Sequence, residues 1–391
     1  MPPDRVILCL SHFSETYLYA AAACRIMNSH FSFQVITMML SYEQEQSLVR
    51  GILTGAGFRA EDAAIIADII THSDFTGVYS HGLSRLTRYL NQIKAGSINR
   101  DAAFRKLLDD NAVLSFDGDN GFGILSVNKA YDEAVPKARE FGVAFATGKH
   151  NANIGCGSYY GWRAVKDDLI CVLGCNTYAF SSPWGGADRL IGTNPIIAGF
   201  PSGEEFPIVV DISTTTVAMG KIQAFEREGK PIPADWARDY DGRPTTNPAE
   251  AFSLTPIAAH KGYGLAVMVD MLSTMLSGAC YGSDLGLFSK LEKENTGFFL
   301  ILIDPSKFMP IEDFKKNVDR YVRMMKDSRR AAGVEEIFLP GEIEFRKFEE
   351  NKRTGMAFTP ALEAELTQLS VDLGVLDPGA SFEELVHKFS E

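Results

Sequence analysis

Apolar residues recur every three or four positions between residues 41 and 96, and this period predicts helices. Ser41 and Gln44 have the spacing of a capping box, which would open the first of them. A second periodic stretch includes Ile66, and a third ends at Gly96, a residue type that commonly terminates helices. The pattern therefore predicts three short helices in this part of the chain.

Between residues 112 and 220 the pattern changes to short apolar runs bounded by Gly, Pro or Asn, which is typical of strands. The expected strands are 112–116, 142–147, 169–174, 195–200 and 208–212. Helices are expected between them at 122–140 and 158–167. A stretch rich in Pro, Asp and Gly, residues 229–248, then predicts an ordered surface loop.

The last third of the chain predicts mainly helices. A helix at 262–278 carries an apolar stripe that we expect to pack in the core. The residues of this stripe are Leu265, Met268, Leu272, Met275 and Leu276. A strand at 298–303 follows, and then come helices at 311–330, 359–373 and 381–389. Thr359 and Ser381 are expected to cap the last two helices.

Residues 1–40 differ from the rest of the chain because they carry only four charges and no regular apolar period. Their apolar stretches are too broken for a secretory signal, and they lack the arginine bias of a transit peptide. Met38 and Met39 stand directly before the first helix cap, so a start codon chosen too far upstream would explain the segment. We expect residues 1–40 to be disordered or an artefact of the gene model, with a short targeting segment or a dimer-forming arm as the alternative.

The composition indicates a globular protein with two or three domains. The chain has 391 residues, of which 46% are hydrophobic and 23% are charged, so disordered and fibrous classes are excluded. Lys and Arg number 38 against 50 Asp and Glu, which gives a net charge of −12. A phosphate backbone or an anionic membrane surface would be repelled on average, so nucleic acid is not an expected partner.

Cysteine spacing and the length of apolar runs exclude two further classes. None of the six cysteines has the Cys-x2-Cys spacing of a structural zinc site, and we expect no metal. Reduced thiols in a cytoplasmic protein are the simpler interpretation. No uninterrupted apolar segment approaches the roughly 18 to 20 residues that span a bilayer, so we expect a soluble protein without a membrane partner.

A dinucleotide-binding fold of the doubly wound type is not indicated. Such a fold would carry G-x-G-x-x-G after a strand and an acidic residue about twenty positions later. The nearest run, 155–161, places its last glycine one position late, and the following strand ends at Cys175 and Asn176 without a carboxylate. A Rossmann site is therefore not expected.

Ser80, His81 and Gly82 lie between two predicted helices, and Arg85 and Arg88 follow on one helical face. An imidazole at a helix start is suited to proton exchange near neutral pH, and an arginine nearby can bind a carboxylate in bidentate fashion. A histidine that only caps or packs, beside two solvated arginines, is the structural alternative for this segment.

Other polar clusters are expected at strand and helix ends, where ligand sites tend to be built. Residues 192–195 form a turn before one strand, and the strand at 208–212 delivers Asp211 and Ser213 at its end. His260 and Lys261 precede an apolar helix, so a cation and backbone N–H groups would face one place, which suits a phosphate. A glycine-rich helix start with a surface lysine explains that segment equally well.

Taken in order, five segments resemble motifs of the malate/L-lactate dehydrogenase family, which is unrelated to the Rossmann-type enzymes of those names. The segments are 77–82, 183–195, 210–213, 260–264 and 339–342. Members of the family include ureidoglycolate dehydrogenase, 2,3-diketogulonate reductase, sulfolactate dehydrogenase and piperideine-carboxylate reductase. The resemblance extends from about residue 41 to the C-terminus.

The resemblance implies an α+β fold in which a largely antiparallel sheet of non-Rossmann type binds the cofactor. The implied domains are a helical domain at 41–105, an NAD(P)- and substrate-binding domain with an inserted subdomain at 106–305, and C-terminal helices at 306–391 that pack back on the helical domain. It also implies a cytoplasmic homodimer.

The implied activity is hydride transfer between NAD or NADP and a small 2-oxo or 2-hydroxy acid, such as a malate-, lactate-, ureidoglycolate- or diketogulonate-like compound. His81 matches the proton-donating histidine of some members, and Arg85 matches the arginine that binds the substrate carboxylate. The positions that match cofactor-binding residues are Thr177, Pro207, Ile208, Val209, Val210, Asp211, Ile212, Ser213, His260, Lys261, Gly341, Glu342 and Ile343.

One departure from the family pattern concerns the Gly-rich segment. Members commonly carry Asn-x-Asn-His there, and some use that histidine as acid or base, but here Asn153 is followed by Ile154. His150 lies nearby without aligning, so the role is not transferred to it. A catalytically inactive nucleotide-binding relative is therefore one alternative, and a cyclic-imine carboxylate reductase, which has the same fold and a C=N substrate, is the other.

Overall fold

A computed structural model describes residues 38–286 and 290–390 of the protein. Its helices are α1 Tyr42–Gly55, α2 Ala60–Phe75, α3 Leu86–Lys94, α4 Gly123–Phe141, α5 Gly157–Lys166, α6 Met219–Arg227, α7 His260–Asp270, α8 Ile311–Lys326, α9 Glu342–Thr354, α10 Pro360–Asp372 and α11 Phe382–Ser390. Two short 3-10 turns, Tyr79–His81 and Leu83–Arg85, lie between α2 and α3, and a π-helical turn, Met271–Met275, continues α7.

The strands form one large sheet and two small ones within the described residues. They are β1 Met39–Leu40, β2 Arg105–Asp110, β3 Val113–Gly121, β4 Val143–Asn151, β5 Ile170–Cys175, β6 Ile196–Phe200, β7 Ile208–Ile212, β8 Ala237–Arg238, β9 Pro244–Thr245, β10 Ser253–Leu254, β11 Thr296–Ile303 and β12 Met356–Ala357. In the large sheet the order is β2-β3-β4-β11-β5-β6-β7.

The large sheet is mostly antiparallel. Of its neighbouring pairs, β3 and β4 run parallel, joined through α4, and the others run antiparallel. Helices α4 and α5 pack on the sheet, α4 on β3, β4 and β11, and α5 on β5, β6 and β7. The predicted α+β fold with a largely antiparallel, non-Rossmann sheet is confirmed.

Local sequence signals placed most elements correctly. The five predicted strands between 112 and 212 are β3 to β7, and Ser41 forms the capping box with Gln44 at the start of α1. Thr359 caps α10, and the Ser381 hydroxyl accepts from the Glu384 backbone N–H at the start of α11. Strand β2 was not predicted because all six of its residues are exposed, so it has no buried face to show as a pattern.

The predicted surface loop at 229–248 is wrong in part. It contains β8 and β9, which pair with β10 in a three-stranded sheet of order β10-β8-β9. This small sheet packs with α6 around a separate apolar cluster that includes Ile222, Trp236 and Leu254. Strands of two residues are too short to produce an alternating pattern, so the turn-forming residues dominated the sequence signal.

The prediction that the apolar stripe on α7 packs in the core is wrong. Leu265, Met268, Met275 and Leu276 are exposed, and Leu276 retains 60% of its accessible surface. The opposite side of α7 and the π-helical turn, with small residues such as Ala266 and Ser273, is buried. A Cβ on Gly297 of β11 would lie 2.1 Å from the Ser273 carbonyl oxygen, so the helix approaches the sheet too closely for large side chains. The large apolar residues therefore face outward.

The two ends of the described chain meet. Met39 and Leu40 of β1 pair antiparallel with Ala357 and Met356 of β12, and α11 packs on α1. Helix α9 also packs on α2. The domain limits given above stay a prediction. None of the helices in the described ranges is long and apolar enough to cross a membrane.

The expectation for residues 1–40 falls mostly outside the described residues, which begin at 38. Its C-terminal limit is wrong, because Leu40 is fully buried and Met39 and Leu40 form β1. Two residues are too few to show a strand pattern in the sequence, and β1 exists only through its pairing with the distant β12.

A chain that begins at Met39 is expected to unfold at the same temperature as the full chain, because it keeps β1 and the Ser41 cap. A chain that begins at Glu43 should unfold several degrees lower, since it loses the burial of Leu40, about 1.5 to 3 kcal/mol, and an N-cap of about 1 kcal/mol. Thermal unfolding followed by circular dichroism measures both. A loss of more than a few degrees in the Met39 chain would show that residues 1–38 pack on the core.

Candidate active site

A cavity of about 220 Å³ lies at the edge of the large sheet where β4, β5 and β7 end and β6 and β11 begin. Among the residues proposed from the sequence, His81, Thr177, Asp211 and Ser213 line it. Because neighbouring antiparallel strands start and end at the same edge, residues far apart in the chain converge there. The cavity is therefore the place where predicted catalytic and cofactor-binding residues meet.

His81 is held by the two 3-10 turns between α2 and α3. The Asp74 carboxylate at the end of α2 accepts from the Leu83 backbone N–H at 2.6 Å and packs directly against Gly82. The Ser80 hydroxyl lies 3.0 Å from Nδ1 of His81. With Nδ1 engaged in this way, Nε2 is the ring nitrogen left for a ligand.

Asp74 itself is fixed by a second buried carboxyl group. Glu45 of α1 is fully buried and lies close enough to Asp74 for each carboxyl group to affect the pKa of the other. Burial raises the pKa of Asp74 to about 7 and that of Glu45 well above its usual range, so the pair retains a proton near neutral pH. The turn that carries His81 is thus anchored from the core.

The imidazole of His81 is neutral at physiological pH. Desolvation lowers its pKa to about 4, and the positive charges of Arg85 and Arg88 act in the same direction. A bound carboxylate would offset these charges and raise the pKa of His81. The site therefore favours protonation of His81 more strongly when an anion is present.

Arg85 stands beside the cavity, one short turn beyond His81. Its Nε donates a hydrogen bond to the Ser80 carbonyl oxygen. Neither of its terminal nitrogens takes part in a hydrogen bond or ion pair with the described residues. The terminal nitrogens can thus bind a carboxylate in bidentate fashion.

The segment that lacks the family histidine forms one wall of the cavity. Asn153 accepts from the Tyr89 hydroxyl at 3.1 Å and from the Gly155 backbone N–H at 2.8 Å, and Ile154 lines the cavity. His150 is directed elsewhere, since its Nδ1 lies 3.1 Å from the Asp117 carboxylate. It does not line the cavity, so it offers no substitute for the missing residue.

Strand β7 is an edge strand whose end supplies Asp211 and Ser213 to the cavity. The Asp211 carboxylate accepts from the Ser158 backbone N–H at 2.7 Å, at the start of α5. Burial raises the pKa of Asp211 to about 6, and the hydrogen bond from the Ser158 N–H partly offsets this rise. Thr177 joins this group through its hydroxyl, which lies 3.0 Å from that of Thr193.

The proposed cofactor residues 207–212 form or border β7, and residues 341–343 lie directly against this strand. Gly341 adopts a left-handed conformation, φ 84°, and a Cβ there would lie 2.8 Å from the Val209 carbonyl oxygen. The Val209 N–H donates to the Pro340 carbonyl oxygen, so residues 207–212 and 341–343 are neighbours. Ile212 and Ile343 are exposed.

Glu342 has a different place from the one that cofactor contact would suggest. Its side chain is fully buried, where it accepts from Lys326 Nζ at 2.6 Å and from the Leu339 N–H at 3.1 Å, and pairs with Arg346. Any contact of Glu342 with a cofactor would therefore use its backbone.

His260 and Lys261 form the first turn of α7 and do not line the cavity. The segment before them contacts the end of β7, because the Ile257 N–H donates to the Thr214 carbonyl oxygen at 3.0 Å. Both side chains are exposed, and the His260 ring packs edge-on against Trp184. Lys261 forms no ion pair within the described ranges.

The arrangement fits a dinucleotide that lies along β7. The cavity is smaller than the roughly 300 to 1,000 Å³ of a drug-sized ligand site, so it suits a nicotinamide ring and a small acid only. The rest of the cofactor would extend over the edge strand toward residues 257–261 or 341–343. No group of three or more His, Cys, Asp or Glu side chains suited to a metal occurs in the described parts of the chain.

Three polar residues near His81 were missed from the sequence. Glu294 and Tyr178 line the cavity, and Gln92 of α3 donates to the Glu294 carboxylate at 3.0 Å. Glu294 stands in a charged run before β11, a pattern typical of a solvated loop. Only the folded structure brings it into the cavity that His81 lines.

A family model described as malate/L-lactate dehydrogenase matches residues 40–367. The chain belongs to this family. The malate/(S)-sulfolactate dehydrogenase of Methanothermus fervidus is 34% identical over 342 residues, which cover 86% of this chain and 99% of the relative. The sulfolactate dehydrogenase structure from Methanocaldococcus jannaschii has a TM-score of 0.81 at 34% identity and covers 89% of this chain and 99% of its own.

A family member with a different reaction has the same fold. The Δ1-piperideine-2-carboxylate reductase from Pseudomonas syringae pv. tomato has a TM-score of 0.78 at 28% identity, covering 85% of this chain and 100% of its own. Other relatives in the malate/L-lactate dehydrogenase family carry NAD(+) or NADP(+) in their names. The resemblance inferred from the five motifs is confirmed, and the chain is an NAD(P)-dependent oxidoreductase.

Proposed function

We propose that the protein transfers a hydride between NAD(P) and a small 2-oxo or 2-hydroxy acid, with the reacting carbon in the cavity beside His81. The observation that carries this proposal is the pairing of a neutral His81 in the cavity wall with an adjacent Arg85 whose terminal nitrogens are available. The two residues supply a proton-transfer group and a carboxylate-binding group four positions apart on one anchored turn.

The residues divide the work as follows. When bound, the nicotinamide supplies or accepts the hydride. Arg85 holds the substrate carboxylate and so fixes the orientation of the carbonyl group. His81 gives a proton to the developing alkoxide through Nε2 in reduction, or removes it in oxidation, and Ser80 holds the ring from Nδ1. Asp211 orients the start of α5, which borders the cavity.

A screen of 2-oxo acids with NADH and NADPH, and of 2-hydroxy acids with NAD and NADP, tests the proposed function. The expected result is turnover of at least one acid, with a clear cofactor preference. Reduction of a cyclic imine carboxylate without turnover of any 2-oxo acid would favour the imine reductase, the reaction named for one structural relative. Nicotinamide binding without any turnover would favour an inactive relative.

Lys261→Ala is expected to weaken cofactor binding more than it slows the chemical step. Lys261 carries a cation at the start of α7, outside the cavity, so it is placed for the cofactor phosphates and not for the reacting carbon. The expected loss is about 1.5 to 3 kcal/mol, typical of a charged hydrogen bond. Titration of nicotinamide fluorescence measures it, with the exposed Lys230→Ala as control. Unchanged cofactor affinity would contradict the assignment.

We also propose a homodimer in which a second copy covers the apolar face of α7 and its π-helical turn. This face consists of Leu265, Met268, Met271, Met275 and Leu276, and all five are exposed. A contiguous exposed apolar surface of this kind commonly marks a contact between proteins. The side of the helix that packs on the sheet holds small residues, so the large apolar residues all lie on the outer side, where a second copy could cover them.

Replacing Met268 and Met275 together by lysine is expected to convert the dimer to a monomer, because two buried charges without partners would oppose association. Analytical ultracentrifugation at micromolar concentration measures the change. Met324→Lys, at an exposed methionine of α8 outside this face, is the matched control and should remain dimeric. A monomeric wild-type protein, or a dimeric double variant, would contradict this interface.

A cytoplasmic location is the remaining proposal. It is supported by the thiols, since Cys156, Cys171, Cys175 and Cys280 are free and the first three are buried. Reduced, unpaired cysteines are typical of proteins in reducing compartments. Fractionation of the source cells would test the location directly.

A further inference from the structure

Glu294 places a carboxyl group in the wall of the cavity that holds His81. The side chain is 2% exposed and lines the cavity at the start of β11. Gln92 Nε2, on a side chain that is 1% exposed, donates to it at 3.0 Å, and Tyr178, which also lines the cavity, is close enough to lower the pKa of the same carboxyl group. The carboxylate is thus held by a side chain that is itself buried.

Two cations act on Glu294 and on His81. The guanidinium groups of Arg85 and Arg88 lie close enough to affect the pKa of both side chains. Burial raises the pKa of Glu294, whereas these two charges, the hydrogen bond from Gln92 and the nearby Tyr178 oppose the rise. The described residues in the cavity wall include no lysine or arginine.

The fixed charges around the reacting centre therefore leave room for one anion. Arg85 and Arg88 contribute two positive charges, whereas Glu294 and Asp211 in the cavity wall contribute two carboxyl groups and His81 is neutral. A single substrate carboxylate can be held by the terminal nitrogens of Arg85. A second anionic group would lie near Glu294 without a cation of its own, and like charges at close range in a desolvated site strongly oppose binding.

We propose that Glu294 selects 2-oxo acids with a single negative charge and disfavours those with a second carboxylate or a sulfonate. This inference rests on the proposed function. It divides the substrates named for the family: lactate, ureidoglycolate and cyclic imine carboxylates carry one charge, whereas malate and sulfolactate carry two. Apolar side chains such as Val78 and Ile154 in the cavity wall suit an uncharged substituent.

The first test compares oxaloacetate with 2-oxosuccinamate, its 4-amide, because the two differ by one charge at nearly equal size. The wild-type enzyme should reduce the amide with a kcat/KM at least about tenfold higher. Glu294→Gln keeps the acceptor for Gln92 and removes the charge, so it should lower this ratio by about tenfold or more, whereas Glu294→Asp should preserve it. A wild-type preference for oxaloacetate, or an unchanged ratio in Glu294→Gln, would overturn the proposal.

The second test needs no turnover. Oxamate and oxalate are similar in shape and differ by one charge, and calorimetry with the cofactor-loaded wild-type protein should show oxamate binding at least about tenfold tighter. Equal binding, or tighter binding of oxalate, would overturn the proposal even if Glu294→Gln did not fold. If no 2-oxo acid is reduced, the proposed function fails, and the binding ratio still decides the role of Glu294.

Discussion

His81→Asn is expected to slow turnover by roughly 100- to 10,000-fold while leaving cofactor affinity nearly unchanged. Asparagine keeps a polar group beside Ser80, but it cannot exchange a proton with the substrate oxygen. The proposed cofactor positions along β7 are separate from the turn that carries His81, so binding of NAD(P) should persist. Steady-state kinetics and titration of nicotinamide fluorescence measure the two effects independently.

The pH dependence provides the sharper measurement. Because the pKa of His81 is about 4 in the free protein, kcat/KM for oxidation should be level above pH 5 and fall below it, as the ring becomes protonated and loses its capacity as a base. For reduction the sign reverses, and kcat/KM should decline as pH rises above about 4. This value replaces the usual pKa of about 6.5, which the sequence alone would suggest.

Both pH limbs should vanish in His81→Asn. Arg85→Lys is the contrasting variant. It should raise KM for the oxo acid, because a lysine ammonium cannot form the two parallel hydrogen bonds that a planar guanidinium makes with a carboxylate. The pH limbs should remain in place. If His81→Asn retained near-normal turnover, the proton donor would be another group in the cavity wall. Tyr178 would then be the first residue to replace, since His150 is turned away toward Asp117.

Gly82→Ala is expected to reduce turnover by about 100-fold or more, because it moves the turn that positions His81 and Arg85. A Cβ on Gly82 would lie 1.9 Å from Oδ1 of Asp74. Asp74 cannot retreat without losing its hydrogen bond from the Leu83 N–H and its contact with Glu45. Overpacking of this kind should also lower the free energy of unfolding by about 1 to 3 kcal/mol.

Gly220→Ala is the matched control, since no atom lies within 4 Å of a Cβ built there and its φ is ordinary. Denaturant unfolding and steady-state kinetics on the two variants would separate loss of fold from loss of geometry. Full activity in Gly82→Ala would show that the turn can shift without displacing His81, and that Asp74 does not position it.

Local patterns predicted the elements better than the site. The five strands from 112 to 212 and the caps at Ser41 and Thr359 follow from short-range rules of period and hydrogen bonding, and the structure confirms them. The motif resemblance gave the family, the fold and the cofactor class. What local rules missed is pairing between distant segments, as in β1 with β12, which no short window of sequence contains.

The site could be predicted only in part for the same reason. His81, Thr177, Asp211 and Ser213 converge as expected on one cavity. Glu294, in contrast, stands in a charged run that is typical of a solvated loop, and only the three-dimensional fold buries it. The burial predicted for the stripe on α7 is wrong because periodicity identifies an apolar face but does not show whether the chain's own sheet or another surface covers it.

The pairing of β1 with β12 has a consequence for synthesis on the ribosome. Leu40 cannot be covered from the side of Met356 until nearly the whole chain has been made, because 316 residues separate the two positions. At a synthesis rate of about 5 to 20 residues per second, the apolar faces of α1 and α2 would remain uncovered for on the order of 15 to 60 s before their C-terminal partners are made. During that interval the exposed apolar faces can bind chaperones. The yield of folded protein in a heterologous host should therefore depend on the speed of translation and on the supply of chaperones, even if the finished protein is stable.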